Sequence, residues 1–420
     1  MTEERGVVRR IAWGEIFPWL ILLRTFRVAI APTVLLAAVL GTFLQPWGRS
    51  LGALLFLSAD EQQTMREVPG AGLPLPPPPG GALDTQVPAA IDSYLPHVPS
   101  GLQEAYFYLV EPAWRLFHLQ LPFNQAAYYL FVNLWMLAVW AFFGAVIVRR
   151  AVVQLGAEQT TGLRETVLFA ARRYLQYFLA PLFPLLGVLA IVVLLIPLGL
   201  LMRLDVGVVI AGVVWLLVIL LGLVAVWLLG GLLLGWPLMW GAISAEREGD
   251  AFEAFSRSYA YVYGRPLHYL FYVVVAALFG TLCWAVVNYA AQMVVEFGFW
   301  GASWGSGGQR MADIREMTMR SPWYVFSGDR SFTALDSGTA LISLNLMIVR
   351  LVVSAFNFSF FWVAAAAIYL LLRLDVDQKE LDEVYQPDDE FRFAAGRRAL
   401  AETPLPAAEV PDASPPDTAE

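Results

Sequence analysis

Six polar side chains stand within or at the edges of apolar runs of this 420-residue sequence. An ionisable group at mid-depth of a bilayer costs about 2.5 to 3.5 kcal/mol on insertion scales, so each such residue needs a partner or a purpose. Asn288, Gln292 and Glu296 recur at i, i+4 and i+8 and line one face of a helix, while Arg350, Ser354 and Asn357, at i, i+4 and i+7, share a face of another. With the two helices running in opposite directions, Glu296 and Arg350 fall near the same end, so the placement allows an ion pair between them, the other reading being that Arg350 snorkels and Glu296 already lies among the headgroups. Two chemistries fit such faces: a structural pair that fixes two helices, or the polar wall of a cavity for an ion or solute.

Other chemical patterns dissolve on inspection. Gly301-Ala302-Ser303-Trp304-Gly305 has the spacing of a hydrolase nucleophile elbow, but it follows an apolar run, enters a glycine-rich stretch, and has no histidine after it. The three histidines, His97, His118 and His268, are too scattered for a metal cluster, and Cys283 is the only cysteine. Asp375, Asp377 and Lys379 begin like a calcium loop but lack its glycine and spaced oxygen ligands, and read as a solvated acidic helix end. There is no phosphate-binding G-x-x-x-x-G-K-[ST] loop. No catalytic, cofactor-binding or metal-binding residue is assigned, and no cofactor is expected.

The elements that position the six residues follow from composition. The chain is 58% hydrophobic and 15% charged, with a mean hydropathy of +0.61, against about 25% charged for soluble domains. Its apolar runs reach the roughly 20 residues that a helix needs to cross a hydrocarbon core of about 30 Å. The expected fold is an all-α polytopic membrane bundle of about six transmembrane helices with amphipathic interfacial helices. The spans fall near residues 28–44, 128–148, 177–202, 206–229, 268–295 and 346–372, the last five forming a core over 128–372. Residues 1–27, with five arginines around an apolar stretch, read as an interfacial segment before a retained anchor. The apolar run 206–243 exceeds one span, and Gly230, Gly231, Gly235 and Pro237 mark an expected break. Pro181, Pro184 and Pro197 add possible kinks in the third span.

Between the first two spans, residues 45–127 are an exoplasmic segment. Its Pro-rich stretch 69–88 is too poor in apolar residues to pack a core and reads as an extended linker. Helical spacing returns over 101–119 as a surface helix broken near Pro112. The loops 149–176 and 244–267 are each expected to carry an amphipathic helix, the second starting at a capping box made by Asp250 and Glu253. They form a degenerate pseudo-repeat, Ala157-Glu158 and Glu165 against Ala245-Glu246 and Glu253, 88 residues apart. The remaining exoplasmic loop, 296–345, is expected to be flexible, with Trp300 and Trp304 at the interface.

Arginine placement sets the expected orientation. Eighteen of the 27 basic residues fall in the N-terminal segment, the two amphipathic loops and the C-terminal tail, and eight in the alternate loops. Both termini are therefore expected to be cytoplasmic, in a bacterial inner (plasma) membrane. From Asp375 onward there are 13 acids and 4 bases, so 373–420 reads as an acidic disordered tail. No basic stripe interleaved with aromatics appears, and nucleic acid is not an expected partner.

Three stretches carry a resemblance: Trp13-Gly14-Glu15-Ile16-Phe17-Pro18-Trp19-Leu20, the loop from Glu246 to Pro266 with Ser256-Arg257-Ser258-Tyr259, and Ile368-Tyr369-Leu370-Leu371-Leu372-Arg373 followed by Asp375-Val376-Asp377. Together they are similar to uncharacterised multi-pass membrane proteins of planctomycete-type bacteria. The layout of spans and amphipathic loops also resembles the membrane domain attached to some glycerophosphodiester phosphodiesterases, whose catalytic barrel has no counterpart here. Neither resemblance implies an activity. The expected role is a non-enzymatic component that organises the membrane or assembles a complex, with the lipid bilayer and a protein bound through the acidic tail as partners. The rival is a secondary transporter or channel with a polar cavity between the last two helices.

Overall fold

The computed structural model describes residues 16–58, 61, 102–117, 121–247, 249–318 and 333–385. Residues 1–15, the Pro-rich stretch, His97, His118 and the tail beyond 385 lie outside the described residues. A short 3₁₀ turn, Pro18–Leu20, leads into twelve described helices: α1 (Ile21–Ala29), α2 (Pro32–Phe56), α3 (Leu102–Arg115), α4 (Phe123–Leu155), α5 (Leu163–Arg172), α6 (Tyr174–Leu179), α7 (Leu182–Leu201), α8 (Asp205–Ala245), α9 (Ala251–Gly264), α10 (Pro266–Ser306), α11 (Gly308–Thr318) and α12 (Ala334–Asp377). Five of them, α4, α7, α8, α10 and α12, are long and apolar enough to cross a membrane. The α1–α2 pair, bent by 74°, is a sixth when taken as one span. The chain is a multi-pass all-α membrane bundle.

Local sequence explains the first bend. Pro32 opens α2 and holds the preceding Ala31 in an extended conformation, ψ 133°, because the proline ring clashes with a helical residue before it. The bend thus falls at Ala31, inside the bent pair, and α2 runs on through Pro46 to Phe56, well past the expected end at 44.

The centre of the bundle is aromatic. Trp140, Trp240 and Trp362 are fully buried, and the rings of Trp240 and Trp362 stack with centroids 4.2 Å apart. Gly144 makes room for them, since a Cβ there would lie 2.4 Å from the Trp240 ring. The indole N–H groups find acceptors: Trp240 donates to the Tyr177 carbonyl at 2.9 Å and Trp140 to Gln45 Oε1 at 2.9 Å.

Three expectations are corrected. α8 is one continuous helix of 41 residues, about 61 Å long, with no break at its glycines. Pro237 lacks the N–H that would pair with the Leu233 carbonyl, and the Tyr106 hydroxyl of α3 donates to that carbonyl at 2.8 Å. Gly231 and Gly235 admit α9 instead, where Cβ atoms would meet the Tyr259 ring at 2.3 Å and Ser258 Oγ at 2.5 Å. α3 is unbroken at Pro112, and its buried Ala105 and Leu109 belong to the main core. α10 extends to Ser306, so Gly301 to Gly305 are helical rather than a flexible loop, and Ser303 Oγ donates to its own helix at Trp300 O.

α9 has the expected amphipathic period, but its buried face packs on α8. Ser258 and Tyr263 donate to the α8 carbonyls of Gly235 (2.5 Å) and Trp227 (2.6 Å), and Tyr259 donates to that of Leu228. Asp250 caps α9 by accepting from Glu253 N–H at 2.6 Å, while the Glu253 carboxylate turns to Arg257 rather than closing a capping box. Replacing Asp250 by alanine is expected to lower stability by about 1 kcal/mol, seen as a small drop in the thermal midpoint in detergent, with serine restoring most of it.

Candidate functional site at the tail end of the bundle

Where α8 ends, its last carbonyls point out of the helix with the negative end of the helix dipole. Two arginines from other elements meet them. Arg149 of α4, 2% exposed, donates to Ser244 O at 2.6 Å. Arg173, between α5 and α6, donates to Ile243 O (2.8 Å) and Glu246 O (2.9 Å), and also to Arg247 O. Phe169 lies against both guanidinium groups, with centroid distances of 4.2 Å to Arg149 and 4.7 Å to Arg173. Tyr177 and Ser244 share a buried hydroxyl bond of 2.7 Å. The end of α8 is thereby fixed to α4, α5 and α6.

Glu246, the residue after α8, receives the strongest convergence of charge. Its carboxylate lies 2.9 Å from Arg373 Nε, 3.3 Å from Arg257 Nη1 and 3.1 Å from Lys379 Nζ. Arg373 is 3% exposed and Glu246 13% exposed. Burial works to raise the Glu246 pKa, and the charges of Arg373, Arg257 and Lys379 outweigh it, so the carboxyl is held below the ordinary glutamate value. Arg257 is also shared with Asp377 at 3.2 Å and with Glu253 at 2.6 Å. Asp377 accepts from the Tyr261 hydroxyl, and Asp375 from that of Tyr272 at 2.7 Å. These aspartates are bound into the bundle, not the solvated acidic end expected from sequence.

The chain beyond α12 continues this arrangement. Gln378, at φ 55° and ψ 26°, ends the helix in the left-handed conformation and turns residues 378–384 back across the bundle. Lys379 reaches Glu246, Arg373 Nη2 donates to Glu383 O at 2.7 Å, and Val384 is 6% exposed. The strap closes over the end of α4 at Gly156, where a Cβ would sit 2.4 Å from Leu381 O. The segment 373–384, expected within a disordered tail, is therefore part of the compact unit that ends at Val384.

The six residues singled out from sequence are distributed differently. Asn288 and Gln292 are half-buried on α10, and Arg350 and Ser354 half-buried on α12, while Asn357 is fully buried. Glu296 does not pair with Arg350. Its ion pair is with Arg315 of α11, whose Nη1 lies 2.9 Å from Oε2 and whose Nη2 contacts Oε1. The reason is the length of α10: it runs eleven residues past the expected end, to Ser306, and α11 then returns Arg315 alongside Glu296. The Glu246 cluster was missed because its two halves, Glu246 with Arg257 and Arg373 with Lys379, are more than 100 residues apart in the sequence, although two of the stretches that carried the resemblance, Glu246 to Pro266 and Ile368 to Asp377, meet there. The available signal was Arg373 itself, an isolated cation closing an apolar run. Among the described residues, no group of three or more His, Cys, Asp or Glu is arranged to hold a metal ion.

At the opposite end of the bundle a smaller cluster anchors α3. Arg49 of α2 and Arg115 bracket Glu111 at 3.2 and 2.7 Å, and Arg49 also lies over the Tyr108 ring at 4.5 Å.

The chain matches no protein-family model, no curated protein and no solved structure. What the geometry itself defines is a polytopic membrane bundle with an electrostatic clasp where its tail departs.

Proposed function

We propose that this chain is a non-enzymatic component of a bacterial inner membrane that assembles or organises partners at the cytoplasmic face, using its acidic C-terminal tail. The observation that carries this reading is the clasp on Glu246: Arg373 and Lys379 hold the first residues of the tail against α4 and α8. Beyond Val384 the tail carries eight acids against three bases, a balance that favours a basic or folded protein over anionic lipid, which repels it. The cytoplasmic assignment of that end rests on the arginine distribution.

The test is a mild-detergent pull-down from the native membrane, comparing the full chain with one ending at Tyr385. That end point keeps Lys379, Leu381 and Val384, so the clasp stays intact and only the tail is removed. The expected result is a stoichiometric protein partner with the full chain that is lost on truncation. Identical partner sets, or none with either chain, would refute tail-dependent assembly and turn attention to transport along the Asn288, Gln292 and Ser354 faces.

A further inference from the structure

Beside α4, an open-sided apolar groove of about 530 Å³ runs between α2 and the elbow joining α5 to α6. Its volume lies within the roughly 300 to 1,000 Å³ of ligand clefts. Leu44, Trp135, Ala138 and Phe142 line it along α2 and α4, and Ala171 and Tyr174 line it beside the elbow. Hydrogen bonds shape it: Trp135 Nε1 donates to Leu44 O at 3.2 Å and ties α4 to α2, while the Tyr174 hydroxyl donates to Ala138 O at 3.2 Å. Along α4 the wall residues Trp135, Ala138 and Phe142 follow i, i+3 and i+7, a stripe about 10 Å long at 1.5 Å per residue.

Charge appears beside the elbow. Arg172 lies between Ala171 and Tyr174, is exposed, and makes no ion pair with a described residue. Arg164, two turns earlier on α5, is likewise exposed and outside any ion pair of the described residues. Arg172 shares its face of α5 with Leu168, at i−4 and 44% exposed, and Leu175 just past the elbow is 61% exposed. The opposite face of α5, with Thr166, Phe169 and Ala170, is buried in the bundle. A helix that exposes leucines beside unpaired arginines sits at the level where acyl chains give way to headgroups.

We propose that this groove binds an anionic phospholipid, one acyl chain lying along α4 from Tyr174 towards Trp135 and the phosphate held by Arg172, with Arg164 adding to the field. The occupant follows from complementarity: an open apolar groove in a membrane-spanning wall admits hydrocarbon, and the exposed guanidinium of the residue that follows its lining Ala171 favours a negative headgroup. The contact is built into the bundle and is separate from the clasp on Glu246, so it does not depend on the role proposed for the tail.

The experiment titrates the full chain in a neutral detergent with phosphatidylglycerol or phosphatidylcholine of the same acyl chains, following the thermal midpoint and the lipids retained in native mass spectrometry. Phosphatidylglycerol is expected to bind about fivefold more tightly, the factor for one arginine near an anionic surface, and the Arg172→Gln variant to lose that preference while keeping its response to phosphatidylcholine. Arg172→Lys should retain most of the preference, separating charge from loss of fold. Filling the groove with Ala138→Leu should weaken both lipids. Equal binding of the two lipids by the unaltered chain, or a preference that survives Arg172→Gln and Arg164→Gln together, would overturn the proposal, as would an equal midpoint shift with inorganic phosphate alone.

Discussion

The Glu246→Gln variant will lose more stability than removal of any exposed ion pair in this chain. Arg373, 3% exposed, would keep its charge with the carboxylate gone, and breaking a buried pair by removing one partner costs about 3 to 5 kcal/mol. Arg257 and Lys379 are about a third exposed and solvent screens their share, which places the expectation near the lower bound of about 3 kcal/mol. The drop should appear in the thermal midpoint of the detergent-solubilised protein and as earlier cleavage of the strap in limited proteolysis. Adding Arg373→Met should recover much of the loss, because an apolar side chain in that place has no charge to leave uncompensated. Equal midpoints for the unaltered chain and Glu246→Gln would show that the convergence of charge contributes nothing.

The same clasp has a pH signature whose direction follows from the lowered Glu246 pKa. A carboxyl with a folded pKa below its unfolded value contributes stability that is complete above the ordinary glutamate value of 4.5 and is lost as pH falls through the lowered one. The difference in midpoint between the unaltered chain and Glu246→Gln should therefore be constant near neutrality and close only below pH 4.5. A gap that narrows between pH 6 and 8 would assign it to another group.

Trp362→Ala carries the second large expected effect. Trp362 is fully buried and stacks on Trp240 at 4.2 Å, with Trp236 edge-on at 5.1 Å. Trp240 is pinned by its bond to Tyr177 O, and Gly144 fits closely against the pair, so the surroundings cannot collapse into the space. Tryptophan-to-alanine changes in such cores cost about 3 to 5 kcal/mol. In a bilayer the loss is mostly of dispersion contacts, since lipid tails are as apolar as the core. Trp362 Nε1 makes no hydrogen bond, so Trp362→Phe should cost distinctly less, the difference being one of ring volume. Near-ultraviolet circular dichroism should lose the signal of the stacked pair in both variants. A midpoint unchanged by Trp362→Ala would mean that the aromatic centre is not what holds α4, α8 and α12 together.

What the residues announce by themselves is whatever depends on a short stretch of chain. The apolar runs that become α4, α7, α8, α10 and α12 are legible because each span must satisfy its own backbone in a medium without water. The Asp250 start of α9 is legible for the same reason, being fixed by hydrogen bonds three residues away. Pro32 is a local signal of another kind: the proline's restriction on Ala31 puts a bend between α1 and α2, inside an apolar stretch that hydropathy alone reads as continuous.

Pairing was decided by the tertiary structure. Glu296 meets Arg315 and not Arg350 because α10 is longer than its hydropathic core and α11 folds back beside it. Pro237 does not break α8 because Tyr106, 131 residues earlier, supplies the hydrogen bond that the proline withholds. Glu246, Arg257, Arg373 and Lys379 become one clasp only through the crossing of α8, α9 and α12 and the left-handed turn at Gln378. Helix periodicity tells which residues share a face. Which face meets which neighbour depends on the tilt and rotation of whole helices, set by close contacts such as Gly144 with Trp240 and Gly231 with Tyr259, and those contacts exist only after the chain has packed.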